Sequence, residues 1–155
     1  MITLPESYES FVTAMNQSKV RYLVVGGFAV VVYGVERTTG DMDIWVDNSE
    51  ENILALRKAF IMLDYNPTDV DAALKSYKAM GKLTMFLDER FPIEMMPKYS
   101  SFITFDEAYA RKMEVDFSGI PLCVVDLDTL IELKIRVGRE KDLWDVKHLQ
   151  ERKKD

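Results

Sequence analysis

The stretch Val24–Asp47, VVGGFAVVVYGVERTTGDMDIWVD, decides the fold of this chain. A short apolar run over 21–25 ends at the glycine pair Gly26-Gly27, which predicts a strand followed by a tight turn. The run over 28–33 is apolar throughout and predicts a buried helix, closed by Gly34 just beyond its last turn. Glycines between a strand and a helix let the backbone approach a phosphate closely, and the helix start offers free N–H groups.

The end of the same stretch alternates in polarity. Met42, Ile44 and Val46 share one face of a predicted strand over 42–47, and Asp41 and Asp43 lie on the other face with Trp45 and Asp47. The carboxylates of Asp41 and Asp43 then point the same way, roughly 6–7 Å apart along the strand. Like charges held this close repel unless a cation lies between them, and carboxylate oxygens suit Mg²⁺ that also binds substrate phosphates.

A third carboxylate occurs in the apolar strand predicted over 92–96, where Ile93 and Met95 face one way and Glu94 the other. A lone acid in such a strand is expensive to bury without a partner. If this strand lies beside the first, Glu94 joins Asp41 and Asp43, and the three could hold two metal ions about 3.5–4 Å apart.

The rest of the chain predicts an α+β (α/β) domain, a mixed β-sheet flanked by helices with a C-terminal helical pair. We expect one domain over 1–155, with a catalytic core over about 20–100 and a C-terminal hairpin and helices over about 112–153. Further helices are predicted over 7–18, about 48–63, 105–111, 126–137 and from 141. A strand over 82–87 is joined to 92–96 by a turn at Asp88-Glu89-Arg90. A hairpin is predicted from 114–117 and 121–125, with its turn at Ser118-Gly119. The polar segment 65–80 could form part of a partner surface.

Composition narrows the class of protein. The chain has 155 residues, 48% of them apolar and 30% charged, and a net charge of −6, which disfavours a protein that coats nucleic acid through bulk charge. Residues 130–155 carry eight basic and six acidic side chains, a local excess of two positive charges. No apolar run approaches the roughly 20 residues of a membrane span. With Cys123 as the single cysteine, no internal disulfide forms, so we expect a cytoplasmic protein without a membrane partner.

The motifs together resemble a known family. The elements are Gly26-Gly27, Gly34, the run Arg37-Thr38-Thr39-Gly40-Asp41-Met42-Asp43, and Glu94. They look like the minimal domains of the nucleotidyltransferase superfamily, most similar to the stand-alone bacterial type related to AbiEii-like toxins. The segment 133–146 also looks like that family's C-terminal helical pair, in which a lysine and a downstream Asp-Leu-x-Asp recur.

The resemblance implies a Mg²⁺-dependent transfer of a nucleotidyl group from a nucleoside triphosphate to a hydroxyl of a tRNA end or a protein, with Mn²⁺ as a substitute ion. It also implies a toxin–antitoxin or defence role with a cognate antitoxin as partner. The implied catalytic residues are Asp41, Asp43, Glu94 and Lys134, of which the three acids bind metal. The implied nucleotide-binding residues are Gly26, Gly27, Arg37, Thr39 and Asp142. The family's third acid is more often Asp than the Glu94 found here.

Each signal also has an interpretation without function. The three acids could be solvent-exposed residues at strand edges, and the glycine pair could form only a turn. Lys134 could lie on the solvent-exposed side of its helix. Arg37 could form a structural salt bridge to Asp41 or Glu36, and Asp142 could stabilise a helix dipole. At the level of the protein, a catalytically silent homologue that binds a nucleotide or a partner stays open, as does a metal-dependent phosphodiesterase.

Overall fold

The computed structural model describes residues 6–88 and 91–154, which form a six-stranded sheet with helices packed against it. The helices are α1 (Glu6–Gln17), α2 (Gly26–Val32), α3 (Glu50–Met62), α4 (Pro67–Met80), α5 (Phe105–Ala110), α6 (Leu127–Val137) and α7 (Glu140–Lys153). The strands are β1 (Tyr22–Val25), β2 (Met42–Val46), β3 (Leu83–Asp88), β4 (Phe91–Met96), β5 (Met113–Phe117) and β6 (Ile120–Val124). This is the mixed sheet flanked by helices that the sequence predicts.

The strand order is β3-β4-β2-β1-β6-β5. β1 and β2 are antiparallel to each other, whereas β4 runs parallel to β2 and β6 runs parallel to β1. The two edge strands, β3 and β5, are each the antiparallel hairpin partner of the strand beside them. The N-terminal strands β1 and β2 therefore lie side by side at the centre of the sheet, with β4 beside β2 and the C-terminal strand β6 beside β1.

Two sets of helices cover the sheet. α1, α3 and α4 contact one another in series, and Tyr22 of β1 donates its hydroxyl proton to Asn16 of α1 at 2.8 Å, which places this set on the Tyr22 face. α2, α6 and α7 form the second set, and α2 packs on β1 and β2. Met42, Ile44, Ile93 and Met95 on the first face are completely buried, so the core is thickest there. Among the described residues, no helix is long and apolar enough to cross a membrane.

Side-chain caps explain where several helices begin. Ser49 accepts from the backbone N–H of Asn52 at the start of α3, and Asp126 accepts from Thr129 at the start of α6. Gly138 ends α6 in the left-handed region at φ +70°, where a Cβ would be strained. Short polar caps and a terminal glycine are local features, so the sequence predicts these boundaries within a few residues.

The structure adds to the sequence prediction in two places. The segment 65–80, for which the sequence analysis proposes only a part in a partner surface, contains α4, whose start is capped by Asn66 with Pro67 in the first turn. Val70, Leu74 and Tyr77 of α4 are buried, so one face of the segment belongs to the core. α2 begins at the glycine pair itself rather than at residue 28. The turn predicted at Asp88-Glu89-Arg90 lies outside the described residues at its last two positions.

Candidate active site

Three carboxylates from two strands meet on the α2–α6–α7 side of the sheet. β2 and β4 run in parallel with Asp43 directly opposite Glu94, so their side chains leave the same face of adjacent strands. Asp41 lies two residues before Asp43 and shares that face. One oxygen from each of Asp41, Asp43 and Glu94 lies within 4.8 Å of the others, and all three residues are partly buried. The register of one parallel strand pair thus brings together acids that are 51 residues apart in sequence.

The electrostatics of this cluster favour a cation. Burial, together with the nearby charges of Asp41 and Glu94, raises the pKa of Asp43 to about 6. The pKa of Asp41 is also raised, first by burial and then by Glu94. Asp43 Oδ1 is buried and has no hydrogen-bond partner among the described residues. An orphaned carboxylate oxygen beside two further carboxylates is the oxygen donor set that a divalent metal ion fits.

The glycine pair brings the backbone against this cluster. Gly26 ends β1 with φ +69°, and a Cβ at this position would lie 2.5 Å from Asp43 Oδ2. A Cβ on Gly27 would lie 3.0 Å from Arg37 Nη2 and 3.1 Å from the Thr39 hydroxyl. The absence of both Cβ atoms allows the start of α2, the Arg37–Asp41 loop and the carboxylates to meet in one place.

A buried ion-pair network joins α6 and α7 to that loop. Lys134 Nζ lies 3.2 Å from Asp142 Oδ1 and 3.0 Å from Asp145 Oδ2. Asp145 also binds Arg37 at 2.6 Å, across 108 residues of sequence, and Asp142 binds Arg139 at 2.7 Å. Burial alone would raise the pKa of Asp142, but hydrogen bonds from Arg139 and Lys134 outweigh burial and lower the pKa. The C-terminal helical pair therefore fixes the orientation of Arg37.

Two cavities meet at Asp43. The first, of about 450 Å³, contains eight of the nine residues that the sequence nominates, namely Gly26, Gly27, Arg37, Thr39, Asp41, Asp43, Lys134 and Asp142. We call it the glycine-side cavity. The second, of about 700 Å³, opens on the other side of Asp43 and contains Glu94. We call it the Glu94-side cavity. Asp43, Tyr99 and Arg139 line both, so a group bound in one lies next to a group bound in the other.

The structure changes the non-functional interpretations of two residues. Lys134 is 7% exposed and does not lie on the wet side of its helix. Arg37 does form a salt bridge, but with Asp145 rather than with Asp41 or Glu36. Trp45 packs edge-on against Phe105 and is 2% exposed, as expected for a packing residue.

Sequence reasoning missed Tyr99, whose side chain lines both cavities. Burial raises the pKa of Tyr99 to about 12, helped by Asp43 and Asp142, so its hydroxyl stays protonated and can donate. Nothing in the sequence marks this tyrosine, which lies in the loop after β4, as part of a cavity. The sequence does not nominate Asp145 either, because nothing local links it to Arg37.

Solved structures of other proteins share this fold. LnuA, a lincosamide antibiotic adenylyltransferase solved with lincomycin bound, has a TM-score of 0.54 at 14% identity, over 96% of this chain and 97% of its own. TM1012 of Thermotoga maritima, assigned as a nucleotidyltransferase, has a TM-score of 0.58 at 14% identity, over 97% and 96%. The antibiotic-resistance factor ANT(2'')-Ia has a TM-score of 0.55 at 12% identity, over 92% and 80%. At these identities the likeness establishes the fold alone.

The fold is therefore one that solved nucleotidyltransferases also have. Residues 5–155 match the family described as "Nucleotidyl transferase of unknown function (DUF2204)", and the chain belongs to this family. The predicted superfamily is thereby confirmed. No curated protein sequence matches this chain significantly.

Proposed function

We propose that this protein is a Mg²⁺-dependent nucleotidyltransferase that moves a nucleotidyl group from a nucleoside triphosphate to a hydroxyl of an RNA or protein acceptor. The observation that carries the proposal is the meeting of Asp41, Asp43 and Glu94 at the wall between two cavities. Such a wall has room for a donor on one side and an acceptor on the other. Membership of a nucleotidyl transferase family supports the reaction class.

The glycine-side cavity suits the triphosphate. Gly26 and Gly27 expose the backbone at the start of α2, and Arg37 and Thr39 lie 3.0 and 3.1 Å from where a Cβ of Gly27 would be, closer than ordinary van der Waals contact. Lys134, held by Asp142 and Asp145, adds a fixed positive charge to the same cavity. Groups already held in place bind a phosphate chain without further loss of side-chain freedom.

Asp41, Asp43 and Glu94 would hold Mg²⁺, or Mn²⁺ in its place, because they supply three carboxylate oxygens, one of them otherwise unpartnered. The bound ion supplies Lewis-acid polarisation of the phosphoryl group and neutralises developing charge. A bound cation would also offset the repulsion among three partly buried carboxylates, which is otherwise unfavourable.

The transfer itself is a displacement at the α-phosphorus of the triphosphate. The acceptor oxygen forms a bond to that phosphorus, the bond to the bridging oxygen breaks, and pyrophosphate leaves. The acceptor proton passes to a carboxylate, and Glu94 is our candidate because, of the three acids, only Glu94 lines the Glu94-side cavity without also lining the glycine-side cavity. Tyr99, at the junction, is placed to donate a hydrogen bond to either partner.

We place the protein in the cytoplasm and among the AbiEii-like toxins, with a cognate antitoxin as partner. The sequence resemblance at residues 22–47 and 92–97 supports this finer assignment. LnuA is a lincosamide antibiotic adenylyltransferase, so a small-molecule hydroxyl is the competing acceptor class.

Replacement of Asp43 by Asn tests the proposal. The wild-type chain should release pyrophosphate from a triphosphate only with Mg²⁺, and the Asp43→Asn chain should lose at least about three orders of magnitude, since the lost charge stabilisation is several kcal/mol. The measurement is pyrophosphate release together with transfer of labelled nucleotide to cellular RNA. Equal transfer by wild type and variant would overturn the proposal.

A stability measurement shows that the variant is folded. Because the pKa of Asp43 in the folded chain, about 6, is above its ordinary value, its ionised form destabilises the metal-free protein at neutral pH. We therefore expect Asp43→Asn to melt at or above the wild-type temperature at pH 8 in EDTA. The difference should shrink as the pH falls from 6 to about 4, where both chains carry a neutral side chain.

A catalytically silent homologue is the second candidate. The ion pair of 3.1 Å between Lys82 and Glu94 favours it, because a carboxylate already paired with a lysine is less available to a metal ion. The lysine of this pair is largely exposed to solvent. Exposed ion pairs are broken at little cost in free energy, so Glu94 can still bind a metal ion. Nucleotide binding with Mg²⁺ but without pyrophosphate release, in the presence of total cellular RNA and protein, would favour the silent homologue.

A further inference from the structure

The charge of the Glu94-side cavity restricts the chemistry of its occupant. Four cations line it, namely Lys82, Lys98, Arg136 and Arg139, against the two acids Asp43 and Glu94. Since the whole chain has a net charge of −6, this excess is a local property of the cavity. The four cations come from three separate segments, before β3, after β4 and around the α6–α7 junction, so no single basic run explains their convergence.

The cations differ in how firmly they are engaged. Lys98 is exposed and, within residues 6–88 and 91–154, makes no ion pair or hydrogen bond. Arg136 pairs with Glu132 at 3.1 Å on the surface and stacks over the Phe102 ring at 4.0 Å, which holds its guanidinium flat against the cavity wall. Lys82 is paired with Glu94 and becomes available when that carboxylate takes a metal ion. Surface pairs of this kind are worth about 0–1 kcal/mol, so an anion can compete for the cations.

The occupant also needs a hydroxyl near Glu94. We propose that the acceptor is a phosphate-bearing hydroxyl compound, an RNA 3′ end in the first place, whose phosphates lie on Lys98 and Arg136 while its hydroxyl reaches Glu94. This inference rests on the proposed function, because it assigns the Glu94-side cavity to the acceptor. A cationic acceptor, such as an aminosugar, is disfavoured by the same charges, and a neutral protein side chain leaves Lys98 without a role.

Binding of RNA tests the assignment independently of transfer. The probe is a fluorescently labelled short single-stranded oligoribonucleotide with a free 3′ hydroxyl, and its affinity is measured by anisotropy with Mg²⁺ and a non-hydrolysable triphosphate analogue over a range of salt. Lys98→Ala should weaken binding several-fold and reduce the slope of log affinity against log salt by about 0.7, the value for one lost phosphate contact on a single strand. Charge reversal in Lys98→Glu should weaken binding further.

Lys58→Ala is the matched control, because Lys58 is an exposed lysine on α3, in the helix set on the other face of the sheet. It should leave both affinity and slope unchanged. Equal effects of Lys58→Ala and Lys98→Ala, or no effect of Lys98→Glu, would overturn the proposal. Loss of triphosphate affinity in Lys98→Ala with unchanged RNA affinity would also overturn it, since the cavity would then belong to the donor.

Competition identifies the source of the phosphate. Displacement of the labelled RNA by a nucleoside monophosphate at similar concentration would indicate a small phosphorylated acceptor, and failure of displacement would indicate a polynucleotide end; both keep the phosphate on Lys98. Displacement by a cationic aminosugar would contradict the proposal. Anisotropy reports binding only, so the RNA result can be interpreted even if no nucleotidyl transfer is detected. If Lys98→Ala does not weaken RNA binding, pyrophosphate release still tests the proposed function separately.

Discussion

Gly26 stands where β1 turns into α2, and two physical constraints act on it. Its φ of +69° lies in the left-handed region, which costs a residue with a Cβ about 1–2 kcal/mol. Independently, a Cβ would lie 2.5 Å from Asp43 Oδ2, closer than any real contact. The first constraint concerns stability and the second concerns the position of a carboxylate, so the two can be separated by experiment.

Gly26→Ala should lower activity by much more than its loss of folding stability explains. Gly119 is the matched control, since it has φ +87° in the β5–β6 turn and nothing within 4 Å of its Cβ position. Gly26→Ala and Gly119→Ala should each lose about 1–2 kcal/mol of stability. Only Gly26→Ala should also lose roughly 100-fold in pyrophosphate release, because it displaces Asp43. Thermal melts and turnover measure both quantities, and wild-type turnover in Gly26→Ala would show that the carboxylate position is not critical.

The site residues that can be predicted from sequence are those whose role follows from their immediate neighbours in the chain. The glycine pair and the alternation around Asp41 and Asp43 predict a turn and a shared face with no tertiary information. Glu94 could be nominated because an acid in an apolar strand needs a partner, although its register against Asp43 is a property of the sheet. Lys98 and Tyr99 could not be nominated, since an exposed lysine or a loop tyrosine looks the same whether or not a cavity lies beside it.

At the scale of elements, α6 and α7 are joined to the Arg37 loop through Asp145. Asp145 is fully buried and binds both Lys134 and Arg37. Removal of one member of a buried ion pair typically costs 3–5 kcal/mol, because the remaining charges stay buried. Arg37 keeps part of its surface in water, so the lower end of this range applies.

Asp145→Asn should therefore reduce both stability and nucleotide affinity. We expect a loss on the order of 3 kcal/mol, which lowers the Tm by roughly 6–12 °C in a domain of this size. Well below that Tm, triphosphate affinity should fall on the order of 10-fold, because Arg37 is no longer held beside Gly27. Asp71→Asn, which removes the exposed Arg57–Asp71 pair, should change neither quantity. Unchanged triphosphate affinity in Asp145→Asn would make the network purely structural.

Helix α4 is an element whose signals are present in the sequence although the segment is polar. Its start carries the ordinary signals, Asn66 followed by Pro67, and its buried residues Val70, Leu74 and Tyr77 have the i, i+4, i+7 spacing of one helix face. The polar residues between them also fit an exposed surface segment, which is how the sequence is interpreted above. The helix is stabilised by packing against α3 and β3, which is tertiary information.

At the scale of the molecule, the two parts of the chain share one continuous sheet, in which the C-terminal hairpin of β5 and β6 is added beside β1. β1 lies between β2 and β6, so the predicted catalytic core over about 20–100 shares its central strand with the C-terminal hairpin. One buried cluster runs from Tyr8 in α1 to Leu149 in α7. Removal of the C-terminal part would expose an edge of β1 at the centre of the sheet, so we expect a single cooperative domain.

The two tryptophans can test this expectation because they lie in different parts of the chain. Trp45 is buried on β2 and Trp144 is 43% exposed on α7. In the single-tryptophan variants Trp45→Phe and Trp144→Phe, the fluorescence melt should coincide with the far-ultraviolet circular dichroism melt of the same variant.

Since the proposed site spans both parts, Mg²⁺ and a non-hydrolysable triphosphate at about 100 times the dissociation constant should stabilise the fold by about 2.7 kcal/mol, a rise in Tm of roughly 5–11 °C. Both tryptophans should report the same rise. An earlier melt at Trp144, or a ligand shift confined to Trp45, would instead make the C-terminal helices a separately folding unit that docks on the core.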